Sequence, residues 1–283
     1  MLSSLAFILF SSAFAGVVGN TVLTTTIEKV DISTSPTEPT LVFAHKEGRV
    51  LLVDSTDTKM VEAFSIAQKD NFLVKVEIDT HGNVIGAKLA GQSKVKAASR
   101  FKIQAQAYEP TVISSLETAD EYFWEMNGRA KKRSQCFNRA HVWANDMWNR
   151  HSVKSMKVFL FFTTKYIRQY RYKWWFHVSP YVLVDINGKA EERVLDRAFT
   201  DAPYEMKAWT DEFMQNEAYC PTVAKYSEYN NNQYAQSCYL MKVPMYYWEP
   251  NNLELMETET VPQRSWNQSE VSTAWKQAFT GWW

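Results

Sequence analysis

A chain of 283 residues is long enough for one large domain or two modest ones. Its 46% hydrophobic and 14% aromatic content exclude a disordered chain. A formal net charge of +0 argues against a nucleic-acid binder held mainly by phosphate contacts.

Residues 1–15 read as a secretory signal peptide, with an apolar run from Leu5 to Phe10 and then small residues. Ala13-Phe14-Ala15 fits the cleavage pattern, although no Lys or Arg precedes the run. Ser3, Ser4, Ser11 and Ser12 bracket a core too short for a membrane anchor, and no later stretch is expected to span a bilayer. A secreted or periplasmic location follows, where three cysteines leave one unpaired. Cys220 and Cys238 lie close together in a polar, loop-like region and suit each other as a disulfide, which leaves Cys136 free.

Residues 16–40 are rich in Thr and Ser and read as extended or mobile. Leu41-Val42-Phe43 and Val50 to Val53 flank a turn at Glu47-Gly48 and suggest a hairpin. Met60, Val61, Phe64 and Ala67 give a short amphipathic helix. Phe72 to Asp79 alternates as a strand, His81-Gly82-Asn83 turns, and Val84 to Leu89 returns. Phe101 to Ala107 fits helix or strand equally well. Tyr108-Glu109-Pro110 breaks the chain and marks a domain boundary.

Ile113 to Trp124 reads as a helix, followed by the basic run Arg129-Ala130-Lys131-Lys132-Arg133. That run is a solvated loop, a protease-cut activation site, or a field that favours a neighbouring thiolate. Cys136, Ala140, Trp143, Ala144, Met147 and Trp148 then recur at helical spacing, with Ser134 as the expected N-cap. Cys136 would lie in the first turn, where unpaired N–H groups and the positive dipole end favour a thiolate and can hold an oxyanion. An inert buried thiol is the competing reading.

Val158 to Phe162 is a continuous apolar run that suits a central strand covered on both faces. Tyr166 to Lys173 interleaves Arg and Lys with Tyr and reads as a surface loop that lines a groove. Phe176 to Asp185 and Arg193 to Arg197 form a hairpin about Asn187-Gly188. That register sets His177 opposite about residue 198 and makes Asp196 a diagonal neighbour on the same face. A nucleophile at Cys136, a base at His177 and an orienter at Asp196 follow, with Asp185 the competing carboxylate at the turn end. Pro203 opens a helix carrying Met206, Trp209, Phe213 and Met214. After Cys220 the chain turns loop-like, then Tyr239 to Trp248 reads as strand. Trp266, Trp275, Trp282 and Trp283 are expected to pack down rather than form a binding platform.

With these residues placed, the catalytic half resembles the protein-glutaminases, secreted bacterial enzymes that deamidate glutamine side chains in proteins. The resemblance is carried by Cys136-Phe137-Asn138-Arg139-Ala140-His141, by Phe176-His177-Val178 running on to Val184, and by Glu192 to Phe199 followed by Pro203 and Trp209. Order and spacing fit across roughly residues 113–250. Arg197 stands after the aspartate where a proline is expected, and the family carries more cysteines.

The resemblance implies an α+β protein whose transglutaminase-like or papain-like catalytic domain has an antiparallel sheet and its cysteine at a helix N-terminus. Residues 16–110 would then be a small, inhibitory α+β pro-domain and residues 111–283 the catalytic domain. Its catalytic residues map onto Cys136, His177 and Asp196. The sequence carries no metal-ligand cluster and no Gly-rich phosphate loop, so no cofactor and no metal are expected. The expected reaction is hydrolysis of glutamine side chains to glutamate plus ammonia, on proteins or peptides with exposed glutamine. An activating protease is an expected partner; nucleic acid and a membrane span are not. A transglutaminase or a cysteine peptidase would use the same triad, and an exported binding protein would use none of it.

Overall fold

The computed structural model describes residues 20–45, 48–92, 108–130, 135–258 and 265–280. The expected signal peptide, the segment Phe101 to Ala107, and Lys131, Lys132, Arg133 and Ser134 lie outside them.

The amino-terminal part runs β1 (Thr21–Thr25), β2 (Ile27–Asp31), β3 (Thr40–Ala44), β4 (Val50–Val53), α1 (Thr58–Lys69), β5 (Phe72–Ile78) and β6 (Val84–Gln92). The segment after residue 20 therefore builds two paired strands, where a mobile stretch was the alternative. Two three-stranded antiparallel sheets result, β1-β5-β6 and β2-β3-β4. α1 starts where the Asp57 carboxylate accepts from the Met60 N–H, and it buries Val61, Phe64 and Ala67. Those side chains share one core with Leu23, Val42, Leu51, Val74 and Ile78.

β3 is buried along its whole length, and the period of two sorts its residues between two cores. Val42 and Ala44 join α1, whereas Leu41 and Phe43 join the core of the carboxy-terminal part. The backbone continues the attachment. Val50 N–H donates to Lys173 O and Trp175 N–H to Gly48 O, each at 2.8 Å. Gly48 has φ +58, and a Cβ there would lie 2.8 Å from Phe176 Cε1, so the turn needs glycine twice over. Arg168 to Asp31 (2.6 Å) and Tyr226 Oη to Glu28 (2.6 Å) fasten the rim.

The carboxy-terminal part continues β7 (Val112–Ile113), α2 (Leu116–Glu125), α3 (Cys136–His151), β8 (Met156–Phe162), α4 (Thr164–Tyr170), β9 (Phe176–Ile186), β10 (Lys189–Val194), α5 (Met206–Asp211), β11 (Thr222–Val223), α6 (Tyr226–Asn231), β12 (Cys238–Pro244), α7 (Pro250–Thr258) and α8 (Gln268–Thr280). Its sheet has the order β10-β9-β8-β12-β11, with β7 also on β9, and is antiparallel except at β7 and β11. β8 is central, as its apolar run requires, and Val158 to Phe162 are fully buried. Among the described residues no helix is long and apolar enough to cross a membrane.

Several expectations need correction. Residues Val112 and Ile113 are strand, and the helix begins only after Ser115, whose hydroxyl accepts from the Thr118 N–H. The stretch from Tyr166 is not a surface loop. Thr163 caps a helix there, and Tyr166 and Ile167 are buried under a basic outer face. Pro203 does not open the next helix; Tyr204 bridges back to Val194, and Glu205 is the N-cap. Phe213 and Met214 lie beyond that helix but are buried as expected. Past Pro244 the chain leaves the sheet, so the strand is shorter than the Tyr239 to Trp248 stretch.

Candidate active site

α3 is buried on nearly every side, from Cys136 through Asn145. An amphipathic helix is expected to keep one wet face, but here α8 covers it. Asn138 donates to Gln277 Oε1 (2.9 Å) and accepts from Trp248 Nε1 (3.1 Å), while Val142, Trp143 and Met147 pack with Ala274 and Ala278. The helix starts at Cys136 itself. Its N-cap is Gln135, with φ −71, ψ 153 and no side-chain cap bond, in place of the Ser134 cap expected from sequence. A long amide is a poor N-cap, so the first-turn N–H groups at the sulfur are not taken up by the Gln135 side chain.

His177 comes from β9 and Asp196 from the chain just past β10. The hairpin pairs Lys189 with Ile186 and Val194 with Tyr181, the expected register, with φ +56 and +80 at Asn187 and Gly188. β10 ends at Val194, however, and the chain turns so that Asp196 reaches inward. Its Oδ2 lies 2.6 Å from His177 Nε2 and also accepts from Trp209 Nε1 at 3.0 Å. Cys136 also acts on His177 through a side-chain hydrogen bond. Asp185 stays at the turn, accepting from the Gly188 N–H at 2.7 Å.

Both members of the His177–Asp196 pair are buried. Burial alone would pull the His177 imidazole down. The Asp196 carboxylate beside it, with Cys136 adding, more than offsets this and raises it to about 9. Burial likewise opposes ionisation of Asp196, but His177, Arg139 and the Trp209 indole hold the carboxyl below its ordinary value. The imidazole is seated among aromatic rings, with centroids 4.4 Å from Phe213, 4.9 Å from Phe199 and 5.8 Å from Trp209.

Sequence reasoning missed this cage. Phe213 was legible only as a core residue and Trp209 as a core residue that also carries the resemblance, and nothing in their spacing pointed to histidine. Arg139, one turn beyond Cys136 and buried, was also passed over. The remaining cysteines behave as expected: Cys220 and Cys238 are bridged, and Cys136 is free. Among the described residues no group of three or more His, Cys, Asp and Glu is placed to hold a metal ion.

Residues 124–213 match the family model described as glutaminase. No curated protein matches by sequence. Among solved structures, a mutant of pro-protein-glutaminase is similar with a TM-score of 0.51 and 13% identity, over 89% of this chain and 97% of that one. Pro-protein-glutaminase itself gives 0.48 and 13% identity, over 80% and 83%. The protein-glutaminase of Chryseobacterium proteolyticum gives 0.38 and 15% identity, over 58% and 85%. The first of these shows a shared fold. The segment that matches the glutaminase model thus holds Cys136, His177 and Asp196, and the fold around it is shared with pro-protein-glutaminase.

Proposed function

We propose that this protein hydrolyses glutamine side chains in proteins or peptides to glutamate and ammonia, through a thioester on Cys136. One observation carries the reading. A buried His177–Asp196 pair at 2.6 Å adjoins a free cysteine at a helix N-terminus, inside the segment that matches the glutaminase family. His177 takes the thiol proton, and the thiolate attacks the carboxamide carbon. The first-turn N–H groups of α3 receive the oxyanion. The imidazolium, favoured by its raised proton affinity, protonates the departing ammonia, and the neutral imidazole then activates the water that cleaves the thioester. Asp196, held by Trp209, accepts at His177 Nε2 and so fixes the tautomer that leaves Nδ1 free to act as the base.

The same proposal extends to the domains, with residues 16–110 an inhibitory pro-domain and residues 111–283 a transglutaminase-like catalytic domain. Supporting it, Leu41, Phe43 and Val50 lie in one core with Cys136 and Phe137, and Gly48 seats against Phe176, the neighbour of His177. Export, removal of residues 1–15 and activation by a protease belong to this reading, and the disulfide fits an oxidising compartment. The test is ammonia release from a glutamine-rich protein, with and without an added primary amine. Ammonia with unchanged chain length and no amine incorporation is expected. Amine incorporation would mark a transglutaminase, and shortened chains a peptidase.

A further inference from the structure

Accepting Cys136, His177 and Asp196 as the reacting set leaves a problem of charge. With the cysteine as thiolate, the histidine protonated and the aspartate ionised, the buried site carries one uncompensated negative charge. An uncompensated charge out of water is costly. Arg139 follows Cys136 at the (i, i+3) spacing that puts two side chains on one face of a helix. It is only 6% exposed, and a guanidinium cannot shed its charge by deprotonation. Its guanidinium carbon lies 5.8 Å from the centre of the Phe199 ring. That ring stands edge-on to His177, and the Phe199 N–H donates to Asp196 O at 2.9 Å.

We propose that Arg139 is the positioning residue that balances the site's charge, its guanidinium allowing thiolate, imidazolium and carboxylate to coexist out of water. Two further observations agree with the placement. Burial of the Arg139 guanidinium works against its charge, and the groups that work for it are Cys136 and Asp196. Asp196 in turn counts Arg139 among the groups that keep it ionised. The residue acts through the triad and need not touch substrate. Phe199 has a matching part: it fixes the direction of the guanidinium and the tilt of the imidazole with one ring.

The experiment uses the full chain and compares wild type, Arg139→Met, Arg139→Lys and Cys136→Ser. Ultraviolet thiolate absorbance, taken as the difference from Cys136→Ser across a pH series, reads the ion pair without needing substrate to enter. Arg139→Met keeps most of the side-chain length and removes the charge. Its thiolate-to-thiol ratio at neutral pH should fall about tenfold or more, as for loss of a nearby opposite charge. Arg139→Lys should recover most of the signal. A folded Arg139→Met with the wild-type signal overturns the proposal. So does a wild-type chain with no thiolate signal at neutral pH, which decides the matter even if Arg139→Met does not fold. Ammonia release from a glutamine-rich protein after removal of the amino-terminal unit separates this proposal from the deamidase reading. A signal that depends on Arg139 without any ammonia release rejects only the latter, and ammonia release with an unchanged signal in Arg139→Met rejects only the former.

Discussion

At the scale of residues, the roles proposed for Cys136, His177 and Asp196 assign each group a separable loss. Cys136→Ala should abolish turnover, because no other side chain there can form the thioester. His177→Ala should come close to that, since it removes both the base and the acid for ammonia. In Asp196→Asn, the atom that replaces Oδ2 faces both His177 Nε2 and the Trp209 N–H: an amide nitrogen there opposes the indole donor and favours the wrong tautomer, and an amide oxygen there no longer offers the charge that stabilises the imidazolium. A loss of up to about 10⁴-fold is expected by analogy with the serine triad. Asp185→Asn should retain nearly full activity. Ammonia assays on the four folded variants check this; a crippled Asp185→Asn beside a near-normal Asp196→Asn would reassign the orienter. The His177–Asp196 pair also predicts a pH dependence of stability. For the histidine, raised from 6.5 to about 9, the contribution is complete below 6.5 and is lost as pH rises through about 9. For the aspartate, lowered from 3.8, it is present above 3.8 and lost as pH falls through the lowered value. Urea midpoints should therefore decline between about pH 6 and pH 9.5, and the decline should shrink in Asp196→Asn. An equal decline in both proteins would assign it to other groups. The His177–Asp196 pairing was legible because Asn187-Gly188 fixed a hairpin register and the register brought that carboxylate to the histidine. The aromatic cage was not, because Phe199, Trp209 and Phe213 come together only through the turn after β10.

At the scale of elements, what could be read was what a periodicity declares by itself. β8, α1 and the β9–β10 hairpin show apolar patterns that admit one solution each. α4 was misread because Arg168 stands between its tyrosines and Arg171 and Lys173 follow it, and charge on one face hid burial on the other. The depth of α3 was also hidden, since it depends on α8, more than a hundred residues away in sequence, covering the polar side chain of Asn138. β3 looked like half of an ordinary hairpin, and only the second core under Leu41 and Phe43 shows why its run is apolar without a break. The Cys220–Cys238 bridge ties the start of β11 to the start of β12 around α6, with a sequence separation of 18. Closing a loop of that size should stabilise the fold by about 3 kcal/mol in the chain-entropy model. Urea unfolding of Cys220→Ala/Cys238→Ala against wild type measures it. No loss of stability would show that the β12 pairings alone hold this edge.

At the scale of the whole molecule, the amino-terminal unit is joined to the rest by a core and by backbone bonds, which is more than a tether. Gly48 seats against Phe176 at this contact, with no room for a Cβ. Gly48→Ala places a methyl group against Phe176 at a positive φ, so it should loosen the docking while sparing the triad. Faster cleavage in limited proteolysis and higher basal ammonia release than wild type are expected. Unchanged values for both would make the unit a permanent structural domain, with no inhibitory contact at the hairpin. This interface was beyond the reach of sequence, because Phe43 and Phe176 carry no mark of each other.

The central claim is that Cys136 takes the acyl group of a glutamine side chain. The most direct measurement is rapid acid quench of the activated protein during turnover of a blocked glutamine peptide, followed by peptide mass spectrometry. An acyl adduct is expected on the peptide that contains Cys136, present in wild type and absent in Cys136→Ala. Continued ammonia release from Cys136→Ala, or an adduct located on any other residue, would contradict it.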